Sequence, residues 1–441
     1  MKKTALMDLV LVISLSLIFS AGPAAAKVYI DIDSPMIHKF PIAVADFHNL
    51  GGAPVRGEDY STRFSGELDR VLQITGYFNI LDKKAFLEDP RSSGITADKI
   101  RFMDWTAIGA ESLVKGGYSN SGANMKSQFR LFDCVSGKLL LGKEYNGRSQ
   151  DWKEMVYKFA GEVVLAMTGE AGIFDTKIAF SGRKGKATEI YMINFDGSGF
   201  EKITRANSLT IRPQWGSNGR EICYTSYKDA NPDLYGMSLT NRKERRISRY
   251  IGLNLAGPWS PDGRYMLLTL SKDGNPEIYR MDTRTSTLKR LTFDMGSDVS
   301  PCWSPDGSQI AFVSDRGGSP QIYMMNSDGG NVKRLSYEGN YNTSPSWSPK
   351  SRKIAYESRR GGSFQIFTMN ENGSKVMQVT ANGWNESPCW SPDGRYLVFS
   401  GKSRGKARLY VVNANGSNLR VLHEGLDGYS YTSWSPHLNL Y

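Results

Sequence analysis

The chain has 441 residues, 40% of them hydrophobic and 22% charged, which excludes a disordered or low-complexity protein and leaves room for two domains. Its formal charge of +11 admits nucleic acid, an anionic envelope surface or an acidic protein as partner. Four cysteines (Cys134, Cys223, Cys302, Cys389) without a C-x-x-C pair give no redox or zinc motif, and buried free thiols are expected.

Residues 1–26 have the form of a secretory signal peptide. Lys2 and Lys3 precede the apolar run Leu9–Phe19, and Ala24-Ala25-Ala26 offers a cleavage site after Ala26. The run is too short to span a bilayer comfortably. Export as a soluble protein is expected, and with it no nucleic-acid partner. Residues 27–39 then form a short tail at the new N-terminus, expected to be mobile.

Residues 40–170 read as a small α/β domain. FPIAVADF (40–47), FNIL (78–81) and SLVKGGYS (112–119) are strand candidates, and SQFRLFDC and KLLLGKEY form a hairpin around Val135-Ser136-Gly137. Helices are expected over Ser61–Phe78, near Asp104–Ala110 and over Asp151–Met167, where apolar residues recur at helical spacing. The domain carries neither a glycine-rich phosphate loop nor a catalytic cluster.

From residue 173 to 441 the pattern changes to short alternating strands, and a tryptophan returns at Trp215, Trp259, Trp303, Trp347, Trp390 and Trp434, every 43 or 44 residues. Most stand in Trp-Ser-Pro-Asp-Gly or a close variant. Such a period with four strands per unit predicts a β-propeller. Six copies of the second and third strands predict six blades. The first copy lacks its Trp strand and the last Trp strand lacks followers, so Tyr429–Ser435 should complete the first blade. Ser-Pro-Asp-Gly is a turn. Asp262, Asp306 and Asp393 recur once per blade, and a catalytic or metal cluster must converge, so these acids read as turn residues.

Two chemical motifs fail on context. Gly401-Lys402-Ser403-Arg404-Gly405, followed by Asp427 and His437, matches a hydrolase nucleophile elbow, but Ser403 sits in a hairpin with no helix to follow. His38, His48, His423 and His437 lack zinc-ligand spacing. Basic clusters (Arg183/Lys184/Lys186, Arg242/Lys243/Arg245/Arg246, Arg359/Arg360, Lys402/Arg404/Lys406) read first as solvated hairpin tips and second as a surface for an acidic partner. Sequence varies most just before each Trp strand, and these approaches should gather at one mouth of the channel, where binding specificity is placed.

Leader, small α/β domain and six-bladed WSPDG propeller, in that order, resemble the TolB family of the Tol–Pal envelope system. The resemblance implies a non-enzymatic scaffold with no cofactor, monomeric, in the periplasm. It serves envelope integrity and outer-membrane constriction at cell division, with other outer-membrane or peptidoglycan-associated proteins as further partners. It implies that the propeller mouth binds the lipoprotein Pal, here through Asn254, Ala256, Asp298, Ser300, Asn342, Ser344, Asn385 and Glu386. The N-terminal tail would bind TolA, here through Lys27, Val28, Tyr29, Ile30, Asp31, Ile32 and Asp33. The chain departs from familiar members at Leu253, where they carry a histidine, and at Ser300, where they carry an acid. The family's channel can hold calcium, but no ligand set can be assigned here. The alternatives are an exported propeller lyase or peptidase-like enzyme and a glycan-binding propeller.

Overall fold

The computed structural model describes residues 39–52, 59–89 and 94–438. The expected signal peptide (1–26) and the expected TolA-binding residues at Lys27–Asp33 lie outside the described residues.

The N-terminal sheet is built around two buried strands. β1 (Phe40–Val44) lies parallel to β3 (Phe78–Ile80) and β4 (Ser112–Ser121), and β4, β5 (Asn124–Asp133) and β6 (Leu139–Arg148) run antiparallel. Beyond β1 the chain re-enters the sheet as β2 (His48–Gly51), a short strand beside β4 that its sequence does not announce. Helices α1 (Tyr60–Thr75) and α3 (Trp152–Thr168) cover one face, burying Phe64, Leu68, Val71, Phe159 and Val163 against Phe129 and Val114. The short helix α2 (Phe102–Ala107) covers the other face with Trp105 against Leu113 and Phe132. Asp59 caps α1 by accepting from the Ser61 amide at 3.0 Å, and Gly76 ends it in the left-handed region at φ 74°.

The rest of the chain forms six four-stranded antiparallel sheets. Blades 2 to 6 each use four consecutive strands, a to d. Blade 1 joins the C-terminal strand Gly428–Trp434, as strand a, to Lys177–Lys184, Ala187–Asn194 and Glu201–Lys202. The ring is thus closed by the two ends of the propeller sequence. Strand d is shorter than the apolar pattern suggests, only Lys333–Arg334 in blade 4.

The Trp that sets the period lies at the end of strand a, between blades. Trp303 packs on Leu267 and Ile278 of blade 3 as well as on Ile310 and Phe312 of its own blade. Its indole Nε1 donates to Pro258 O of the preceding blade at 3.2 Å, and Trp390 does the same to Ser346 O at 3.1 Å. Trp215 bonds Ser433 O in the same way, so these three join two sheets by apolar contact and by a hydrogen bond, whereas Trp259 and Trp347 do so by packing alone.

The Ser-Pro-Asp-Gly turns are closed hydrogen-bonded circuits. In blade 4, Asp306 accepts from Ser304 Oγ at 2.6 Å and from the Ser308 amide at 3.0 Å, while Ser304 Oγ accepts from the Gln309 amide at 2.9 Å. These bonds hold the Asp306 carboxyl down at about 2. Asp262 and Asp393 repeat the pattern with Ser260 and Ser391. Gly307 follows at φ 71°, and a Cβ there would meet Pro261 of the neighbouring turn at 3.4 Å.

Candidate functional site: the open face and throat of the propeller

Alternating strand direction sorts the connections. The a–b turns and c–d turns lie at one end of the ring, and the b–c hairpins and d–a loops lie at the other. The N-terminal domain occupies the first end. Tyr396 Oη donates to Thr75 O at 2.7 Å, and the Arg395 guanidinium stands 4.3 Å from the Tyr77 ring. Asp196 in the first c–d turn, only 1% exposed, takes hydrogen bonds from Arg70 at 2.5 Å and Tyr157 at 2.9 Å. The second end is left uncovered by the chain's described residues.

Strand a is the inner edge of each blade and faces the channel. Every strand a is bulged near its middle, with register shifts at Ile211/Gln214, Val299/Cys302, Thr343/Ser346 and their equivalents. Proline is tolerated here because an inner edge needs no N–H for a ladder. The residue before it is forced left-handed: Arg212 at φ 56°, Ser300 at 52°, Ser344 at 52° and Ser387 at 55°. The bulges of all six blades meet as the narrowest part of the channel, a cavity of about 90 Å³. Below it, toward the tryptophans, the channel widens to about 420 Å³. Arg212 fills the throat: both Nη atoms donate to Ser300 Oγ of blade 4 at 3.2 Å, and the guanidinium lies 4.7 Å from the Tyr431 ring.

Beside the throat, Glu357 of blade 5 is almost wholly buried and accepts from the Ser387 amide of blade 6. Burial, against this hydrogen bond, pushes its carboxyl up to about 7. Glu357 thus ties blade 5 to the bulge of blade 6.

The structure divides the eight expected Pal contacts into two groups. Asn254, Asp298 and Asn342 open their strands with 0% exposure, and Asn385 and Ala256 are buried too. The three asparagine side chains are inter-blade fasteners. Asn342 Nδ2 donates to Gln321 Oε1 of blade 4 at 2.7 Å and to Glu338 O at 2.9 Å. Asn385 does the same to Gln365 and Asn382 at 2.9 Å each. Asn254 is held by Ser248 and Tyr250 of the blade 2 side, whereas Asp298 pairs within its own blade, with Arg316 at 2.8 Å. They stand near the mouth, but their side chains point between the sheets. Ser300, Ser344 and Glu386 are only half-buried and line the throat or the groove above it.

What the open face does present are apolar side chains from the d–a loops, a few residues upstream. Ile251 is 91% exposed, Phe293 72%, Tyr337 74%, and Met295 fully. Tyr341 and Trp384 are also exposed, and Phe364 packs edge-on to both. Sequence reasoning located the approaches but named their last residues. The signal for the loops was the bulky apolar residue standing in an otherwise polar connection.

The other sequence motifs separate in space. Ser403 lies in a b–c hairpin on the open face, whereas His437 lies at the opposite end and pairs with Asp175 at 2.8 Å. No nucleophile–base pair forms between them. The cysteines are free, with Cys134, Cys223 and Cys302 buried; Cys389, expected to be buried, is half-buried and lines the wider chamber. The cluster Arg242–Arg246 belongs to a c–d hairpin, at the opposite end from the b–c tips, and is paired rather than simply solvated. It spans a c–d turn and strand d, where Arg242, Arg245 and Arg246 pair with Glu201, Glu221 and Asp229. Among the described residues no group of three or more His, Cys, Asp or Glu gathers to hold a metal ion, and no helix is long and apolar enough to cross a membrane.

Residues 164–438 match the family described as TolB beta propeller domain, and residues 28–140 match the TolB amino-terminal domain. The Tol-Pal system protein TolB of Syntrophus aciditrophicus is 46% identical over 210 residues, 47% of this chain and 46% of that protein. Its counterpart in Desulfosudis oleivorans is 40% identical over 224 residues, 50% of each. The chain thus spans about half the length of the curated relatives it matches. The crystal structure of TolB from Acinetobacter baumannii superposes with a TM-score of 0.79 at 27% identity, covering 90% of this chain and 97% of that one. With the propeller match alone extending over more than half of its residues, the chain belongs to the TolB family.

Proposed function

We propose that this chain is a non-catalytic binding scaffold of the Tol–Pal envelope system, working in the periplasm, and that the open face of its propeller grips the lipoprotein Pal. One observation carries the reading. The N-terminal domain covers one end of the ring, and the other end presents a rim of exposed apolar side chains: Ile251, Phe293, Met295, Tyr337, Tyr341 and Trp384. Large exposed apolar groups gathered on one face of a folded protein mark an interaction surface. A narrow throat, crossed by Arg212 from blade 2 to blade 4, favours a partner that sits on the rim over a small substrate that passes through. Under this reading Ser300, Ser344 and Glu386 meet whatever part of Pal enters the mouth. Asn254, Ala256, Asp298, Asn342 and Asn385 act indirectly, by fixing the rim loops. The tail Lys27–Asp33 is the proposed TolA ligand, which would link the inner membrane to the outer membrane and support envelope constriction at division.

The test is calorimetric titration of the mature chain with the soluble domain of Pal from the same organism. Binding at micromolar affinity or better is expected. No heat at tens of micromolar, with both proteins folded, sinks the proposal. The double variant Ile251→Ser/Met295→Ser should weaken binding at least tenfold while leaving the melting temperature within about 1 °C, because neither side chain is packed.

A further inference from the structure

The b–c hairpins of the open face are not electrically alike. On blades 2 to 4 their cations are neutralised locally. Lys228 pairs with Glu244, Lys272 with Asp273, and Arg316 with Asp298. On blades 5, 6 and 1, neighbours in the ring, the hairpin tips carry Arg359, then Lys402, Arg404 and Lys406, then Lys184 and Lys186. All six are exposed, and none makes an ion pair among the described residues. Three carboxylates stand near the tips, and all are engaged: Glu424 pairs with Arg408 at 2.7 Å. Asp427 accepts from the Gly185 amide at 2.7 Å, and Glu386 accepts from Trp384 Nε1 at 2.5 Å.

These tips border one groove. It lies between blades 6 and 1, holds about 630 Å³, and is lined by Arg183, Lys402, Trp384, Glu386, Asp427 and Tyr429. The Trp384 indole N–H is already spent on Glu386, so its ring offers apolar surface only. The groove is therefore an apolar floor with a cationic border, continuous at Trp384 with the apolar rim.

Resting on the reading of this face as a protein-binding face, we propose that the groove and hairpins of blades 5, 6 and 1 form an electropositive crescent that receives an acidic segment of the protein partner, while the rim of blades 3 to 5 takes its apolar surface. Charge complementarity of this kind acts first on encounter, since exposed cations within a Debye length of about 8–10 Å sum their fields before contact. It also fixes orientation, because only one side of the ring attracts acid. An extended acidic chain is favoured over a membrane surface because the cations surround a concavity. A planar bilayer would touch the tips and leave the Trp384 floor empty.

The experiment uses the mature chain and a fluorescent deca-glutamate peptide, followed by anisotropy at 50 and 300 mM salt, with phosphatidylglycerol vesicles as a second probe. Expected are peptide binding that weakens at least tenfold with salt, and a tenfold or greater loss at 50 mM salt in Lys402→Glu/Arg404→Glu/Lys406→Glu. The charge-matched control Arg284→Glu/Lys333→Glu/Lys375→Glu, on the opposite end, should change affinity less than twofold. Equal losses in both triple variants would reduce the effect to net charge and overturn the proposal, as would capture of vesicles without peptide. Titration with the Pal domain separates the two readings. Normal Pal binding that ignores both salt and the blade 6 variant overturns the crescent and spares the proposed function. Peptide binding confined to the crescent with no Pal binding does the reverse.

Discussion

The two ends of the propeller are made from the same six sheets and differ in what holds their loops. At the covered end, each a–b turn is tied to itself and to its neighbour: Ser304 to Asp306, Gly307 against Pro261, Trp303 to Pro258. At the open end the loops are held from beneath by buried Asn342, Asn385 and Asn254, and their tips carry unpacked Ile251, Phe293 and Met295. Regularity thus follows the side chains that must fit an adjacent blade. Variation is permitted where the side chain meets only solvent or a partner.

The comparison breaks most visibly if a covered-end Trp proves dispensable. Trp303→Ala empties an inter-blade site and should cost about 3–5 kcal/mol in denaturant unfolding, whereas Phe293→Ala on the open rim should stay within about 0.5 kcal/mol. The next effect concerns the fasteners. Asn342→Ala strips Gln321 Oε1 of a buried donor and should destabilise by about 1–3 kcal/mol. It should also speed amide exchange in the 338–342 loop; an unchanged loop would deny it the role of holding the rim. Tyr396→Phe removes one buried hydrogen bond across the domain contact and should cost about 1 kcal/mol, with faster exchange confined to the end of α1 and the blade 6 turn.

The smallest effect is a pH slope. Burial raises Glu357 to about 7 from 4.5, so the folded chain keeps a proton that the unfolded chain releases in that interval. That contribution is whole below pH 4.5 and is lost as pH rises through 7. Glu357→Gln should therefore lower the melting temperature less between pH 5 and 8 than the parent chain does, by a few degrees. Asp69, raised by burial to about 7 beside Lys83 and Asp46, adds a slope of the same sign in the N-terminal domain. Asp69→Asn flattens that part alone, so the two variants assign the slope to two regions.

Much of the fold was legible because its signals are local and repeated. Trp spacing, Ser-Pro-Asp-Gly turns and alternating strands all encode contacts within one blade or with the next. β2 was missed because His48–Gly51 has no apolar alternation, and its only mark as a strand is its pairing with β4. The site was half legible. The approaches to strand a do gather at one mouth of the ring. Yet Asn254, Asp298 and Asn342 look like surface polar residues in sequence, and whether a first strand residue points outward or between sheets depends on the neighbouring blade.

From sequence alone came the blade count, the closure by Trp434's strand and the structural nature of the WSPDG acids, since each follows from a period that the chain states outright. Only the tertiary structure decided which end of the ring is covered, that Arg212 crosses the throat, and that the unpaired hairpin cations fall on three adjacent blades. Those are relations between residues far apart in sequence. Nothing in local propensity encodes them until the ring closes and brings blades 6 and 1 side by side.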